Sequence, residues 1–426
     1  MKKLLPYNTK VNRNTYNEDI VIHFFLFISW PFISFIFALK NFNQPKAKYF
    51  IILFFGLFGY TFFINSNSGA DSIRYAQTFI DFSNSSYLEL HTILSSFNYD
   101  SGSSFDIVIP LLSFSLSKIT NNWHILFAVY AILYGYFNIK CISLMYNLYL
   151  TKANYNSLLY FLFFLLIAPI YEINGIRYYL ATWIFFYGAY YVVIYEKNIY
   201  LIIALFSCLV HFSYFSVNMI LIVFVILGKK NIVYYPLLIS SFILPKNSEE
   251  LIRNIVDQLP FGLSMHVNEY SKNINSISYL SDNVTVLVSS YVTSFFYWFL
   301  IVSVFLTMYK LRFIIKENKY LRLYSFLLLL LSFVNYISIV PSGERFNSIF
   351  QLFSIAFLLN IYTKYSSLKT NILLYSGTPL FLISALFQFR YLSEFLNMTL
   401  FLPFPLFFQN REINYPAFNL FFQWLH

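Results

Sequence analysis

Residues 171–216 read YEINGIRYYLATWIFFYGAYYVVIYEKNIYLIIALFSCLVHFSYFS. Arg177 stands at the mouth of one long apolar run, and His211 interrupts the next. Runs of this length and apolarity belong in a bilayer, whose hydrocarbon core takes about 20 helical residues to cross. Ionisable side chains at that depth are expensive, so they face a cavity or a partner and mark function. The pair Arg177 and His211 is therefore the first candidate for chemistry.

The rest of the chain has the same character. Of 426 residues, 58% are hydrophobic and 11% charged, against about 25% charged in soluble domains. Mean hydropathy is +0.61. Further apolar runs occupy 21–39, 49–64, 123–148, 155–170, 178–195, 199–210, 212–227, 232–244, 284–309, 323–340, 346–362 and 372–389. The expectation is an all-α, polytopic membrane bundle forming a single transmembrane domain of about twelve spans. Short alternating segments of the β-barrel kind do not dominate. Two polar loops, 65–104 and 245–283, separate the runs, and an aromatic, proline-containing tail over 390–426 is expected in the interface. The segment 105–119 is short and broken by Pro110, which suits a re-entrant or interfacial helix.

Sidedness follows from lysine and arginine. One set of alternate turns carries fifteen basic and two acidic residues; the other set, with both long loops and both tails, carries thirteen and sixteen. The first set is expected in the cytoplasm and the loops outside. The first apolar run lacks a small-residue cleavage site, so a cleavable signal peptide is not expected. Cys141 and Cys208 both lie in apolar runs and read as small buried hydrophobes. Neither metal-ligand spacing nor a phosphate-cradling glycine loop occurs, so no metal or other cofactor is expected and ATP-driven chemistry is disfavoured. Nothing suggests nucleic-acid binding.

Counting spans places four polar features on the same membrane face: Asp71, Arg74 and Tyr75 after the second run; Glu172 to Arg177; His211 with Ser213; and Glu344-Arg345 in a late turn. Each also has an ordinary reading. Arg177 suits snorkelling to the interface, His211 helix packing, Asp71 a helix N-cap, Glu172 a solvated turn, and Glu344 with Arg345 a mutual pair or caps of helix ends.

The order of these features resembles the EpsG-type polysaccharide polymerases, related in role to the Wzy polymerases of O-antigen and capsule. The matching positions are Gly69, Asp71 and Tyr75; Arg177, Leu180 and Ala181; His211 and Ser213; and Glu344, Arg345 and Phe346. Tyr178 stands where that family usually has Gln, and no basic residue precedes Gly69 closely. The resemblance implies a metal-independent, inverting glycosyltransferase in the bacterial cytoplasmic membrane. It would pass a glycan from undecaprenyl pyrophosphate to a lipid-linked oligosaccharide at the outer face, with a chain-length regulator as a possible partner beside the membrane lipid.

Within that frame Arg177 and Arg345 are candidate pyrophosphate clamps, since the guanidinium fork matches phosphate oxygens. His211 is the candidate base or else a second phosphate contact, with Asp71 as the alternative base. Arg74, Tyr75, Glu344, Glu172 and Ser213 are candidate substrate contacts, and Tyr87, His91, Tyr99, His266 and Tyr270 are candidate sugar contacts in the loops. A lipid-linked oligosaccharide exporter and an O-antigen ligase-like transferase are the competing readings. The exporter needs a cavity open alternately to both sides, whereas the polar set gathers near one.

Overall fold

The computed structural model describes residues 23–64, 71–86, 106–243, 284–314, 317–338, 343–365, 371–408 and 415–418. These residues form a membrane-embedded, multi-pass helical bundle with no strand among them. In chain order the helices are α1 (23–29), α2 (Pro31–Lys40), α3 (Pro45–Tyr60), α4 (Asp71–Asn84), α5 (Val108–Ser117), α6 (Trp123–Thr151), α7 (Tyr155–Leu166), α8 (Ile176–Tyr195), α9 (Leu201–Val210), α10 (Tyr214–Leu227), α11 (Asn231–Ile243), α12 (Val284–Leu311), α13 (Asn318–Ile337), α14 (Asn347–Lys364) and α15 (Asn371–Phe395).

Among the described residues, five helical stretches are long and apolar enough to cross a membrane: Trp123–Thr151, Tyr155–Tyr195 (which takes in α7, a turn and α8), Ser290–Leu311, Asn318–Ile337 and Gly343–Lys364. Some of the apolar runs fold as helices too short to cross alone. Helix α5 has ten residues, about 15 Å at 1.5 Å per residue, half the thickness of a hydrocarbon core; the run 199–210 is helical along its length, a 3-10 turn at Asn198–Tyr200 leading into α9. The run 155–170 stops early, at Leu166. The first polar loop is not all loop: its residues 71–84 form α4, which buries Ser72, Phe79 and Phe82 along one side. At the other end of the chain, α15 continues past the expected tail boundary to Phe395. The aromatic tail then packs back onto the first helices, with Trp30 Nε1 donating to the Phe401 carbonyl at 2.8 Å.

Helix α8 is the axis of the bundle. Fifteen of its twenty residues are buried, and a helix apolar on all sides has to be surrounded. Helix α14, with fifteen of eighteen residues buried, is its counterpart. Small residues let α9 approach α8. A Cβ on Gly188 would lie 2.5 Å from the Ala204 backbone nitrogen, so this crossing is in backbone contact. Gly188→Leu is expected to force the helices apart at about 1–3 kcal/mol, read as a lower melting temperature of the detergent-solubilised chain. An unchanged melt would show that the crossing is not tight.

The charges sort to the ends of α8. Beyond its C-terminus, Glu196 accepts from Asn318 at 2.9 Å and pairs with Arg322 at 3.5 Å, while Lys364 pairs with Glu317. Arg322 also donates to the Val193 carbonyl at 3.0 Å, which satisfies an orphan acceptor of the helix end. The N-terminal end of α8 holds the other polar set.

Candidate active site at the N-terminus of helix α8

The chain reverses between α7 and α8 through Ala168, which has φ of 48°. This left-handed conformation costs an L-residue about 1–2 kcal/mol. Tyr134, fully buried in α6, offsets it by donating its hydroxyl to the Ala168 and Pro169 carbonyls. A 3-10 turn, Ile170–Gly175, then leads into α8. Successive helical residues point about 100° apart. Arg177, Tyr178 and Tyr179 therefore leave the start of α8 in three directions, and each direction meets different chemistry.

Arg177 points at a carboxylate that the sequence reading passed over. Its Nη1 donates to Asp106 Oδ2 at 3.1 Å, and its Nε donates to the Tyr75 hydroxyl at 3.1 Å. The same Asp106 Oδ2 lies 3.0 Å from His211 Nδ1, and Oδ1 accepts from the Phe212 backbone N–H at 2.7 Å. The Asp106 side chain is 1% exposed, against 24% for Arg177 and 22% for His211. A buried carboxylate thus ties a cation and an imidazole together, while both keep one side open. With Nδ1–H of His211 facing the carboxylate, Nε2 is left to accept a proton. The Nη2 of Arg177 has no protein partner among the described residues.

Local folding explains why these groups meet. His211 breaks the helical path between α9 and α10, where the amide of Asn218 donates to Ser207 Oγ at 3.0 Å and to the Tyr214 carbonyl at 2.9 Å. The segment carrying Asp106 docks on that break: the Ile107 N–H donates to the Leu209 carbonyl at 2.9 Å. Tyr75 arrives on α4, its ring edge-on to buried Tyr130, whose hydroxyl bonds Ser113 at 2.6 Å. Burial pushes the Tyr75 phenol upward, with the Arg177 charge opposing, so Tyr75 remains a neutral hydroxyl.

The other sequence candidates fall into two groups around this centre. Asp71 opens α4 and pairs with Arg74, which is 73% exposed, and it lies within the electrostatic reach of Arg177 and Tyr75. Ser213 follows the break, and its buried hydroxyl has no partner among the described residues. On the far side, Tyr178 is edge-on to His211 at 5.8 Å and to Phe346 at 6.0 Å, bridging the cluster to the Glu344-Arg345 turn. In that turn Gly343 is required: a Cβ there would lie 1.8 Å from the Ile337 carbonyl oxygen. Glu344 and Arg345 are both exposed and do not pair with each other. Glu172 sits beside the Tyr179 hydroxyl and within the field of Arg345. Gly69 and the loop residues Tyr87, His91, Tyr99, His266 and Tyr270 lie outside the described residues.

The sequence did contain a signal for Asp106. A lone carboxylate at the mouth of the apolar run DIVIPLL is the mirror of Arg177 at the mouth of its own. Among the described residues no group of three or more His, Cys, Asp and Glu side chains converges as a metal site, and Cys141 and Cys208 are free thiols.

A family model described as the EpsG family matches residues 47–406 of the chain. No curated protein and no solved structure matches it. The matched region includes every element that contributes to the Asp106 cluster.

Proposed function

Because the chain belongs to the EpsG family, we propose that it polymerises polysaccharide repeat units at the outer face of the bacterial cytoplasmic membrane. The donor is a glycan on undecaprenyl pyrophosphate, and the acceptor is a second lipid-linked repeat unit. A chain-length regulator would act beside it. Twelve or so crossings would come from pairing the short apolar helices within the bundle.

The observation that carries this reading is the joint grip of Asp106 on Arg177 and His211. It holds a permanent cation with a free donor next to an imidazole with a free acceptor. In the proposed step the acceptor hydroxyl oxygen attacks the anomeric carbon. Its C–O bond to the pyrophosphate breaks, with inversion. The diphosphate leaves on its lipid, its charge met by Arg177 and by the exposed Arg345. The hydroxyl proton passes to His211 Nε2. Positioned proton transfer of this kind contributes about 10²–10⁴-fold. Asp106 holds the imidazole and stabilises its charged form, as a positioning residue. Tyr75 fixes the angle of the guanidinium through Nε.

Deleting the gene tests the reading. The surface-glycan ladder is expected to collapse to single repeat units, with lipid-linked units accumulating on the outer leaflet. Accumulation on the inner leaflet would identify an exporter instead, and an unchanged ladder would end the polymerase reading.

A further inference from the structure

The third direction from the start of α8 leads to a separate cavity. It measures about 610 Å³ and lies between the Ile170–Gly175 turn, α12, α14 and α15. That volume is in the range of about 300–1,000 Å³ typical of small-molecule sites. Its walls carry Glu172, Asn174, Tyr179, Gln351, Gln388 and Glu394; among the described residues neither a lysine nor an arginine lines it, and the two carboxylates are balanced from outside the lining by Arg345 and Arg390. Arg177, Asp106 and His211 do not reach it. They lie across the N-terminal turn of α8, with Tyr178 between the two sides.

The chemistry of the two sides is complementary. A diphosphate needs guanidinium or ammonium donors, which the cavity lacks. Two carboxylates, two primary amides and tyrosine rings instead suit neutral hydroxyls, which both donate and accept. One wall residue is already waiting. Gln351 on α14 is 7% exposed and has no hydrogen-bond partner among the described residues. Buried amides are normally satisfied, so an amide left open on a cavity wall marks a place for a polar ligand. The Tyr171 hydroxyl donates to Gln388 Oε1, which fixes that amide with its NH2 group available to the cavity.

We propose that this cavity is a glycan subsite that binds the uncharged sugars of the acceptor chain, separated by the first turn of α8 from the diphosphate site at Arg177. The inference rests on the polymerase reading. It adds that donor phosphate and acceptor sugar are recognised by different walls, and that the hydroxyl is presented past Tyr178 toward His211.

The test uses the full chain in lipid nanodiscs and two probes: inorganic pyrophosphate, and free oligosaccharide released by acid hydrolysis of the cell's own surface glycan. Gln351→Leu, close to volume-conserving, and Ser384→Phe, which fills the cavity from α15, are each expected to weaken oligosaccharide binding at least about tenfold, the loss of about one buried polar contact. Pyrophosphate binding should be unchanged in both. Arg177→Ala should show the reverse pattern. Oligosaccharide binding that survives both cavity variants, that is absent from the wild-type chain, or that falls with Arg177→Ala as much as with Gln351→Leu, overturns the subsite. The gene deletion separates the two ideas. A strain that loses its polymer while the cavity variants bind oligosaccharide normally removes the subsite alone; a strain that keeps its polymer removes the polymerase reading.

Discussion

Asp106→Ala is expected to abolish polymer and to cost stability as well. The carboxylate receives three donors, from Arg177, His211 and the Phe212 backbone, in a pocket that leaves it 1% exposed. Its removal strands a partly buried guanidinium. Breaking a buried pair from one side typically costs about 3–5 kcal/mol. The two effects can be separated. Asp106→Asn keeps the shape and an acceptor for the Phe212 N–H, so folding should be largely retained, but it no longer balances Arg177 or a protonated His211. Polymerisation in membrane vesicles is expected to fall by roughly 10²–10⁴-fold, the scale of a general base that has lost its orientation. Adding Asp106→Asn to His211→Gln should cost little further, because residues acting as one unit are not additive. Wild-type polymer length from Asp106→Asn, with His211→Gln inactive, would show that the carboxylate only holds the fold.

The second large effect is expected at Arg177. Arg177→Ala should remove surface polymer while the protein stays in the membrane and lipid-linked single units accumulate. Arg177→Lys should rescue little. The guanidinium serves Tyr75 through Nε and Asp106 through Nη1 while Nη2 stays open, and a point ammonium on a flexible stem cannot divide itself among three directions in one plane. Glycan gels of both variants, with immunoblots of membranes for protein level, check this. Full-length polymer from Arg177→Ala would eliminate it as a phosphate clamp; full activity in Arg177→Lys would reduce its role to bulk charge.

The ordinary readings of the sequence candidates divide on the same geometry. Asp71 does open a helix and pairs with Arg74, within the field of Arg177. Arg177 is anchored on two elements, through Tyr75 and Asp106. His211 packs at a helix break, but with a carboxylate behind it, which packing alone does not require. The helix α4 was legible in principle, since Phe79 and Phe82 recur at helical spacing with buried Ser72 behind them. Its high polarity made it resemble a loop.

Composition and the spacing of apolar runs were enough to establish a helical membrane protein, because a bilayer penalises every exposed backbone dipole and every unpaired charge. That same penalty marks out Arg177 and His211 from the order of residues alone. Asp106 is a different matter. It is 71 residues from Arg177 and 105 from His211 along the chain, and nothing periodic connects the three. Their meeting depends on a ten-residue helix, α5, and on a break between α9 and α10 that accepts the segment leading into it. The cavity behind Tyr179 likewise exists only because five helices and the turn before α8 converge around it. Penalties for single residues are local and can be read along a chain; partnerships and voids are set by how helices pack, and only the tertiary structure decides those.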